Sequence, residues 1–139
     1  MAEPTIRRAD AADREIGDFI HDSFTDYGEK SNVTLNFDEF CFAAEDDGTL
    51  AGAITGRAYY NEVHIGDLIV RESARRSGVG SRLVKAVEDA YRGKGYDFVT
   101  LTTFAFQAPE FYKKLGYEVE FIRESRDKRL NKIFFKKAL

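Results

Sequence analysis

The segment LIVRESARRSGVGSRLVKAVEDAYRGKG, residues 68–95, constrains the fold of this chain more than any other. An apolar run ends at Val70, two glycines follow at positions 78 and 80, and an amphipathic pattern extends from about Ser81 to Arg92. The apolar residues of that pattern recur at helical spacing and predict one buried helix face: Leu83, Val84, Val87, Ala90 and Tyr91. The segment therefore predicts a strand, a glycine turn and a helix, in that order.

The turn between this strand and this helix has the composition of an anion site. Backbone N–H groups at a helix start are unpaired, the helix dipole adds positive potential, and glycine lets a bulky anion approach the backbone. Four arginines surround the turn: Arg71, Arg75, Arg76 and Arg82. RRSGVGSR thus predicts a phosphate or pyrophosphate site, with a glycine turn and solvated arginines as the alternative. It is not a Walker loop, because no Gly-Lys-Ser/Thr follows, and Leu83 replaces the third glycine of a dinucleotide fingerprint.

The sequence before this segment predicts one helix and several strands. TIRR predicts a short first strand, and Asp10 predicts the N-cap of a helix with Asp13 in its first turn. The apolar face of that helix consists of residues at helical spacing: Ile16, Phe19, Ile20 and Phe24. DYGEKSNVTLNFD shows no clear period and predicts a long connection, with one helical turn inside it as an option. EFCFAAE, LAGAITGRAYY and VHIGDLIV predict strands, the first two joined by the Asp-Gly turn of DDGT.

The sequence after the glycine turn and its helix predicts three more strands and a short helix. YDFVTLTTFAF, YEVEFIRE and NKIFFKKA predict the strands, and APEFYKKLG predicts a helix between Pro109 and Gly116. The predicted order is β-α-β-β-β-α-β-α-β-β, which indicates a mixed α/β fold.

Composition limits what such a fold can do. The chain has 139 residues, a formal net charge of −3 and one cysteine, Cys41. The charge gives no general attraction for nucleic acid, and a lone cysteine forms no internal disulfide. MAEPTIRRAD lacks an apolar signal core, and no run approaches the ~20 apolar residues of a membrane span. These features predict a single cytoplasmic domain over residues 1–139 that binds neither nucleic acid nor a membrane.

Two motifs resemble those of the GCN5-related N-acetyltransferase (GNAT) superfamily. Its acetyl-CoA signature, Arg/Gln-x-x-Gly-x-Gly/Ala between the fourth strand and the next helix, is matched by Arg75, Gly78 and Gly80. APEFYKKLGYE is similar to the family's late helix, Phe-Tyr-x-Lys-x-Gly-Phe/Tyr, through these matching residues: Phe111, Tyr112, Lys114, Gly116 and Tyr117. The resemblance covers nearly the whole chain and is strongest to small single-domain members of the family.

The resemblance implies a GNAT-like fold that binds acetyl-CoA as the cosubstrate and no metal. That fold has a central, mixed, mostly antiparallel sheet of about six to seven strands flanked by helices. The sheet is splayed between its fourth and fifth strands, here 63–70 and 97–106. Backbone groups of Leu68, Ile69 and Val70 would hold the pantetheine arm and the acetyl carbonyl. Backbone amides of the turn would bind the pyrophosphate: Arg75, Arg76, Ser77, Gly78, Val79, Gly80 and Ser81.

The chain departs from the family pattern at two positions. Ala105 stands where many members have an asparagine that contacts the cofactor arm, and Gln107 is a candidate substitute. Arg76 replaces a frequent glycine. Neither change removes the implied cofactor site.

The implied reaction is direct acetyl transfer to an amine in a ternary complex, and it needs an acid. The leaving thiolate requires a proton donor as its charge develops. Tyr112 lies where many members place a tyrosine beside the sulfur, so the resemblance implies that Tyr112 is the acid. The alternative is that Tyr112 only packs on the pantetheine arm.

A base is also needed, because a primary amine has a pKa near ~10.4 in water and must lose a proton before attack. Some members carry a glutamate or histidine where this chain has His64, which makes His64 the candidate base. The alternative is a histidine that only bonds the neighbouring strand. Strand alternation places His64 on one face with Gly66, Leu68 and Val70. Asp67 would lie on the other face and remains a reserve base if a bulge near Gly66 rotates it.

The acceptor is predicted to be a primary amine of a small molecule, with a cationic amine as one option. The loop DYGEKSNVTLNFDEF lies where the family builds its acceptor pocket, and its acidic residues would favour a cation: Asp26, Glu29, Asp38 and Glu39. Four aromatic residues are candidate walls for that pocket: Tyr27, Phe37, Tyr59 and Tyr60. The alternative is a solvated acidic loop. A polyamine, an amino-sugar antibiotic, an amino acid and a protein lysine all stay open.

Two other functions and one assembly remain alternatives at this stage. The chain could acetylate a protein or peptide lysine or N-terminus, or it could bind acyl-CoA as a non-catalytic sensor. Members of this fold often dimerise through late strands, which makes NKIFFKKAL a candidate homodimer interface.

Overall fold

Two compact units make up the chain, Met1–Leu35 and Asn36–Leu139, and the computed structural model describes residues 3–139 of it. The first unit contains helix α1, Arg14–Lys30. Its N-cap is Asp13, whose carboxylate accepts the Ile16 N–H at 3.0 Å. The prediction that Asp10 is the cap is wrong, because Asp10 instead accepts the Ala12 N–H at 2.8 Å one turn earlier.

Two further predictions for the first unit are also corrected. Residues 5–8, TIRR, form no strand, and no strand among residues 3–139 pairs with them, which an isolated four-residue strand would need. Helix α1 continues through residues 26–30, so the predicted connection begins only after Lys30 and its optional helical turn is the last turn of α1, where an ion pair of 3.3 Å joins Lys30 to Asp26.

The second unit is built around a six-stranded sheet. Its elements follow in this order: β1 (Asp38–Asp46), β2 (Thr49–Tyr59), β3 (Glu62–Val70), α2 (Val79–Tyr91), β4 (Phe98–Phe104), α3 (Pro109–Lys114), β5 (Glu118–Arg123) and β6 (Lys132–Ala138). The strand order in the sheet is β1-β2-β3-β4-β6-β5. Neighbouring strands are antiparallel except β3 and β4, which are parallel. The predicted mixed, mostly antiparallel sheet of this class is confirmed.

The hairpin between β1 and β2 follows the turn chemistry of its sequence. Asp47 and Gly48 have φ angles of 49° and 76°, and this left-handed pair is typical of the Asp-Gly turn that matches strand twist. β6, the predicted dimer strand, lies inside the sheet with β4 on one edge and β5 on the other. A dimer through NKIFFKKAL would therefore use its side chains and not strand pairing.

The core lies between α2 and one face of the sheet. Strand alternation gives that face a row of buried side chains: Phe40, Ile54, Ala58, Val63, Ile65, Val99, Leu101, Ile133 and Phe135. The helix adds four of the residues that its spacing predicts: Leu83, Val84, Val87 and Tyr91. Ala90 is exposed, contrary to prediction, and Glu88 is buried. Position 88 lies between Val84 and Tyr91 on the buried stripe, whereas Ala90 lies at the edge of that stripe, next to the last residue of α2.

The sheet opens between β3 and β4. The two strands pair only at Glu62–Phe98, Val63–Val99 and His64–Thr100, although both continue for several more residues. The backbone edges of residues 65–70 and 101–104 that face this opening have no strand partner. These strands are the pair predicted to splay, so the predicted position of the opening is confirmed.

Candidate active site

The glycine turn leads from β3 into α2. Gly78 is the N-cap of α2 with φ 85° and ψ 5°, a left-handed conformation that glycine adopts without strain. The helix begins at Val79, two residues before the predicted start, so Val79, Gly80 and Ser81 form its first turn. Backbone N–H groups in a first turn have no acceptor within the helix, and the helix dipole is positive there. The turn thus presents several unpaired amides at one place.

Gly80 brings three elements together at this turn. A Cβ atom at Gly80 would lie 3.1 Å from Cζ of Phe111 on α3 and 3.5 Å from Cγ2 of Val70 at the end of β3. The first of these contacts is tighter than ordinary packing allows. The absence of a side chain at position 80 therefore lets α3 approach both the turn and the end of β3.

Two arginines of the turn are engaged with backbone carbonyls. Arg75 Nε donates to the Val70 carbonyl at 3.1 Å, and Arg71 Nε donates to the Leu50 carbonyl at 2.7 Å. The Arg75 N–H also donates, to the Glu72 carbonyl at 3.2 Å. That amide was predicted to bind a pyrophosphate, but it is already used inside a short 3-10 turn. The Ser77 hydroxyl similarly donates to the Ala74 carbonyl.

A bulge at Gly66 changes which side chains of β3 share a face. Ile65 pairs with Gly56 and Asp67 pairs with Thr55, so Gly66 is an extra residue in β3. Beyond it the alternation is shifted by one position, and Leu68 pairs with the fully buried Ile54 on the core face.

Because of this bulge, the prediction that His64 shares one face of β3 with Leu68 and Val70 is wrong. His64 does not share a face with Leu68 and Val70, which lie on the core side. Asp67 lies on the same face as His64, as the reserve alternative required, and the Thr55 hydroxyl approaches its carboxylate at 3.4 Å.

Tyr112 is held in the core by rings on several sides. Its ring centroid lies 5.0 Å from that of Phe111 and 6.0 Å from those of Tyr117 and Phe135. Its hydroxyl makes no hydrogen bond within residues 3–139, and that region contains no side-chain nitrogen or oxygen that is both fully buried and unpartnered. The hydroxyl therefore keeps some accessible surface, although Tyr112 as a whole is only 7% exposed. Burial raises the pKa of Tyr112, so the phenol keeps its proton at neutral pH.

His64 lies where the parallel strands part. Its Nδ1 atom is 2.9 Å from Oγ1 of Thr100 on β4, so the ring does bond the neighbouring strand. Burial is the main cause that lowers the pKa of His64; Arg57 and Lys132 lower it further, and Glu62 opposes them. The imidazole is consequently neutral near pH 7, which is the form that can accept a proton.

A cavity of about 580 Å³ lies on the His64 face of β1, β2 and β3. Its lining consists of Glu39, Phe40, Cys41, Thr55, Gly56, Arg57, His64 and Gly66. Of the four predicted acidic residues, Glu39 alone lines this cavity. Asp38 accepts the Tyr91 hydroxyl at 2.7 Å, and Asp26 pairs with Lys30 within α1. The predicted aromatic walls do not line it either.

Sequence reasoning missed three residues at this site: Arg57, Glu62 and Thr100. Arg57 lies on the cavity wall, and Glu62 and Thr100 contact each other and His64. Alternation along β3 could have placed Glu62 beside His64, but Thr100 depends on the register of a parallel pair, which the sequence does not state. Gln107, the candidate substitute for asparagine, has its side-chain oxygen engaged by the Phe104 N–H at 2.9 Å.

Two structural absences concern metals and membranes. No group of three or more His, Cys, Asp or Glu side chains in residues 3–139 is arranged to hold a metal ion. None of the helices in that range has the length and apolar character needed to cross a bilayer.

A sheet opened between two parallel strands, with a glycine turn at the following helix, is the architecture of GNAT-like acetyltransferases. The chain matches the model of the acetyltransferase (GNAT) family over residues 6–117. It therefore belongs to the GNAT family of acetyltransferases, as the resemblance of its two motifs implied.

Similar proteins agree with this membership. Blasticidin-S acetyltransferase of Streptomyces morookaense is 35% identical over 79 residues, which are 56% of this chain and 58% of that protein. The match thus spans less than two thirds of this curated relative. The crystal structure of an acetyltransferase from Bacillus cereus ATCC 14579 has a TM-score of 0.77 and 32% identity, over 96% of this chain and 98% of that one. An aminoglycoside 6'-N-acetyltransferase complexed with coenzyme A shares the fold, with a TM-score of 0.60 and 22% identity over 72% of each chain.

Proposed function

We propose that this protein, as a single N-acetyltransferase domain over residues 1–139, transfers an acetyl group from acetyl-CoA directly to a primary amine of a small molecule in a ternary complex. The observation that carries the proposal is the opening between β3 and β4, where strand pairing ends at His64–Thr100 and the glycine turn that caps α2 follows β3. Membership of the GNAT family supports the same reaction class.

The proposed acetyl-CoA site uses the edge of β3 beyond His64, with which no strand among residues 3–139 pairs on the β4 side, although the Val70 carbonyl already accepts from Arg75 Nε. The free edge of β3 at Leu68, Ile69 and Val70 would hold the pantetheine arm and the acetyl carbonyl. The turn would bind the pyrophosphate through the amides that follow Arg75: Arg76, Ser77, Gly78, Val79, Gly80 and Ser81. Orphan N–H groups at a helix start, reached through glycines, suit a diphosphate.

The proposed chemistry needs one proton acceptor and one proton donor. The acceptor nitrogen attacks the thioester carbonyl, so that a C–N bond forms and the C–S bond breaks. His64 takes the proton that the amine loses, and Tyr112 donates a hydrogen bond and then a proton to the departing sulfur. Asp67, on the same face as His64, is the alternative base.

The proposed acceptor enters through the cavity on the His64 face. Glu39 supplies a negative wall that favours a cationic amine, while Arg57 adds a positive charge that would suit an acceptor with an anionic group as well. The similarity to blasticidin-S acetyltransferase favours a small-molecule acceptor over a protein lysine or N-terminus. A cytoplasmic location, a homodimer and the lack of nucleic-acid and membrane partners stay predictions.

Release of the CoA thiol, measured against a panel of amines, tests this function. The panel contains polyamines, aminoglycosides, blasticidin S, free amino acids and a lysine peptide, and acetyl-CoA binding is measured in parallel. Thiol release with a small amine, together with mass-spectrometric detection of the acetylated product, is expected. Transfer only to the peptide would favour the protein acetyltransferase, and saturable acetyl-CoA binding without any transfer would favour the non-catalytic sensor.

A further inference from the structure

Three polar side chains form a connected chain where β3 and β4 part. Nδ1 of His64 is 2.9 Å from Oγ1 of Thr100, and the Thr100 hydroxyl also lies within hydrogen-bond distance of Oε1 of Glu62. The Glu62 oxygen is 3.9 Å from Nδ1. His64 and Thr100 are the last paired residues of the two strands, so the chain of contacts stands at the edge of the opening.

The hydrogen positions in these contacts among His64, Thr100 and Glu62 can be assigned by counting donors and acceptors. An ionised carboxylate can only accept, so the single hydroxyl proton of Thr100 is donated to Glu62. Oγ1 of Thr100 then has only lone pairs to offer to His64, and Nδ1 must carry the proton that completes the contact. A neutral imidazole has one N–H, so Nε2 is left with the lone pair. Within residues 3–139, Nε2 has no hydrogen-bond partner, and the ring lines the cavity.

We propose that Thr100 and Glu62 are positioning residues that hold neutral His64 in its Nδ1–H tautomer and leave Nε2 as the basic nitrogen on the cavity wall. This inference deepens the proposed function and rests on it for its catalytic meaning. The opposite tautomer would place a proton where the acceptor amine must deliver one. The hydroxyl and the carboxylate thus act through His64 and need not touch the substrate.

The same chain of contacts determines what happens after proton transfer. When Nε2 takes the amine proton, the ring becomes an imidazolium whose Nδ1–H still donates to Thr100, and no proton has to move to Glu62. Charged groups surround the ring from three strands: Glu62 of β3 stabilises the imidazolium, whereas Arg57 of β2 and Lys132 of β6 oppose it. Glu62 therefore has two roles, since it orients the Thr100 hydroxyl and offsets the two cations.

The tautomer can be observed directly by long-range ¹H–¹⁵N NMR of the imidazole rings at pH 8. The chain has two histidines, His21 and His64, and the His21→Gln variant assigns their signals. The wild-type protein is expected to show His64 as the Nδ1–H tautomer. Thr100→Val removes the hydroxyl at nearly constant shape, so the His64 tautomer should shift toward Nε2–H or a mixture. Thr100→Ser keeps a hydroxyl and should retain the Nδ1–H tautomer. An Nε2–H tautomer in the wild type would overturn the inference.

Kinetics with the amine found active separates positioning from packing. Thr100→Val should lower kcat about ten- to hundred-fold with unchanged acetyl-CoA affinity, and Thr100→Ser should recover most of that loss. Glu62→Gln keeps an oxygen acceptor for Thr100 but removes the charge that raises the pKa of His64, so the acid limb of the kcat profile should move to lower pH. Equal activity of Thr100→Val and wild type would overturn the positioning role.

The two experiments distinguish this inference from the proposed function. If no amine is acetylated but the tautomer responds to Thr100→Val and Thr100→Ser as expected, the transfer reaction fails while the positioning of His64 stands. If transfer occurs and the tautomer is the same in all variants, the reaction stands while the positioning is wrong.

Discussion

A Cβ atom at Gly80 would lie 3.1 Å from Cζ of Phe111, so the ring on α3 would have to give by a few tenths of an ångström to admit a methyl group at the start of α2. Phe111 in turn contacts Tyr112, with their ring centroids 5.0 Å apart. One small residue thus links the proposed pyrophosphate turn to the proposed acid.

Gly80→Ala is expected to destabilise the protein by about 1 to 3 kcal/mol, because Phe111 must shift to admit the methyl group. Acetyl-CoA affinity should fall as well, since the shift displaces the turn. Chemical denaturation and calorimetric titration measure the two effects. Gly17→Ala in α1 is the matched control: apart from its chain neighbours and the backbone of its own helix, no described atom lies within 4 Å of the new methyl group, and alanine in a helix should add up to ~1 kcal/mol of stability. Equal effects of the two variants would contradict the role of close approach at Gly80.

Tyr112→Phe should lower kcat about a hundredfold with little change in acetyl-CoA affinity. The phenylalanine ring keeps the packing against Phe111, Tyr117 and Phe135, whereas the proton donor is lost. Tyr91→Phe removes a hydroxyl that bonds Asp38 away from the cavity wall and serves as the control, with near wild-type kcat. Full turnover by Tyr112→Phe, with chemistry rate-limiting, would leave Tyr112 as a packing residue.

The pH profile of kcat should have an acid limb below pH 6.5. Burial, Arg57 and Lys132 lower the pKa of His64 from 6.5, and the proposed base must be neutral to accept a proton. Activity should therefore be retained as the pH falls to 6.5 and lost as the pH falls further, through the lowered pKa of His64. Values of kcat measured over a pH series at saturating acceptor test this expectation.

Two variants identify the titrating residue that produces the acid limb of the kcat profile. His64→Gln should abolish the acid limb of the kcat profile and lower the plateau value of kcat. Asp67→Asn should leave the acid limb at the same pH. A limb that persists in His64→Gln and moves in Asp67→Asn would transfer the role of base to Asp67.

Lys137→Met should destabilise the protein by about 2 to 3 kcal/mol, because it leaves the buried Glu88 carboxylate with only the more distant cation of Arg92, at 4.0 Å. Lys137 Nζ lies 3.1 Å from each oxygen of Glu88, whose side chain is 8% exposed, and the Tyr117 hydroxyl donates to the same carboxylate at 2.8 Å. Burial and this hydrogen bond raise the pKa of the Tyr117 phenol. Thermal or denaturant unfolding measures the loss.

The control for Lys137 is a similar ion pair on the surface. Lys113 and Glu110 are also 3.1 Å apart but exposed, and Lys113→Met should cost less than about 1 kcal/mol. Similar losses in the two variants would mean that the burial of Glu88 does not matter.

Patterns within a single strand or helix were sufficient to predict most of the second unit. The Asp47–Gly48 turn, the helix after Gly78 and the opening after His64 follow from local turn chemistry, helical spacing and the resemblance of two motifs. The strand at TIRR was wrong because it has no partner, a property that four residues cannot reveal. The cap at Asp10 was wrong because Asp10 and Asp13 both suit an N-cap, and only the path of the chain selects one.

The candidate site was less predictable because it depends on register. One extra residue at Gly66 places Asp67 on the same face of β3 as His64 and moves Leu68 to the core face, and alternation along an ideal strand gives the reverse. Thr100 meets His64 only through the parallel pairing of β3 and β4, whose connection is long and leaves the register undefined by sequence. Site residues such as Thr100, which contact a neighbouring strand, were therefore not predicted from the sequence, whereas the residues within each of the two motifs were.

Amide chemical-shift changes during titration with acetyl-CoA, recorded by ¹H–¹⁵N NMR on the full chain, test the central claim most directly. The account predicts saturable shifts that are largest for residues 68–70 and 76–81 and for the free edge of β4 at residues 101–104, with Tyr112 among the affected amides. Shifts confined to other elements, such as β1 or β5, or no saturable shift at all, would contradict the proposed acetyl-CoA site between β3 and β4.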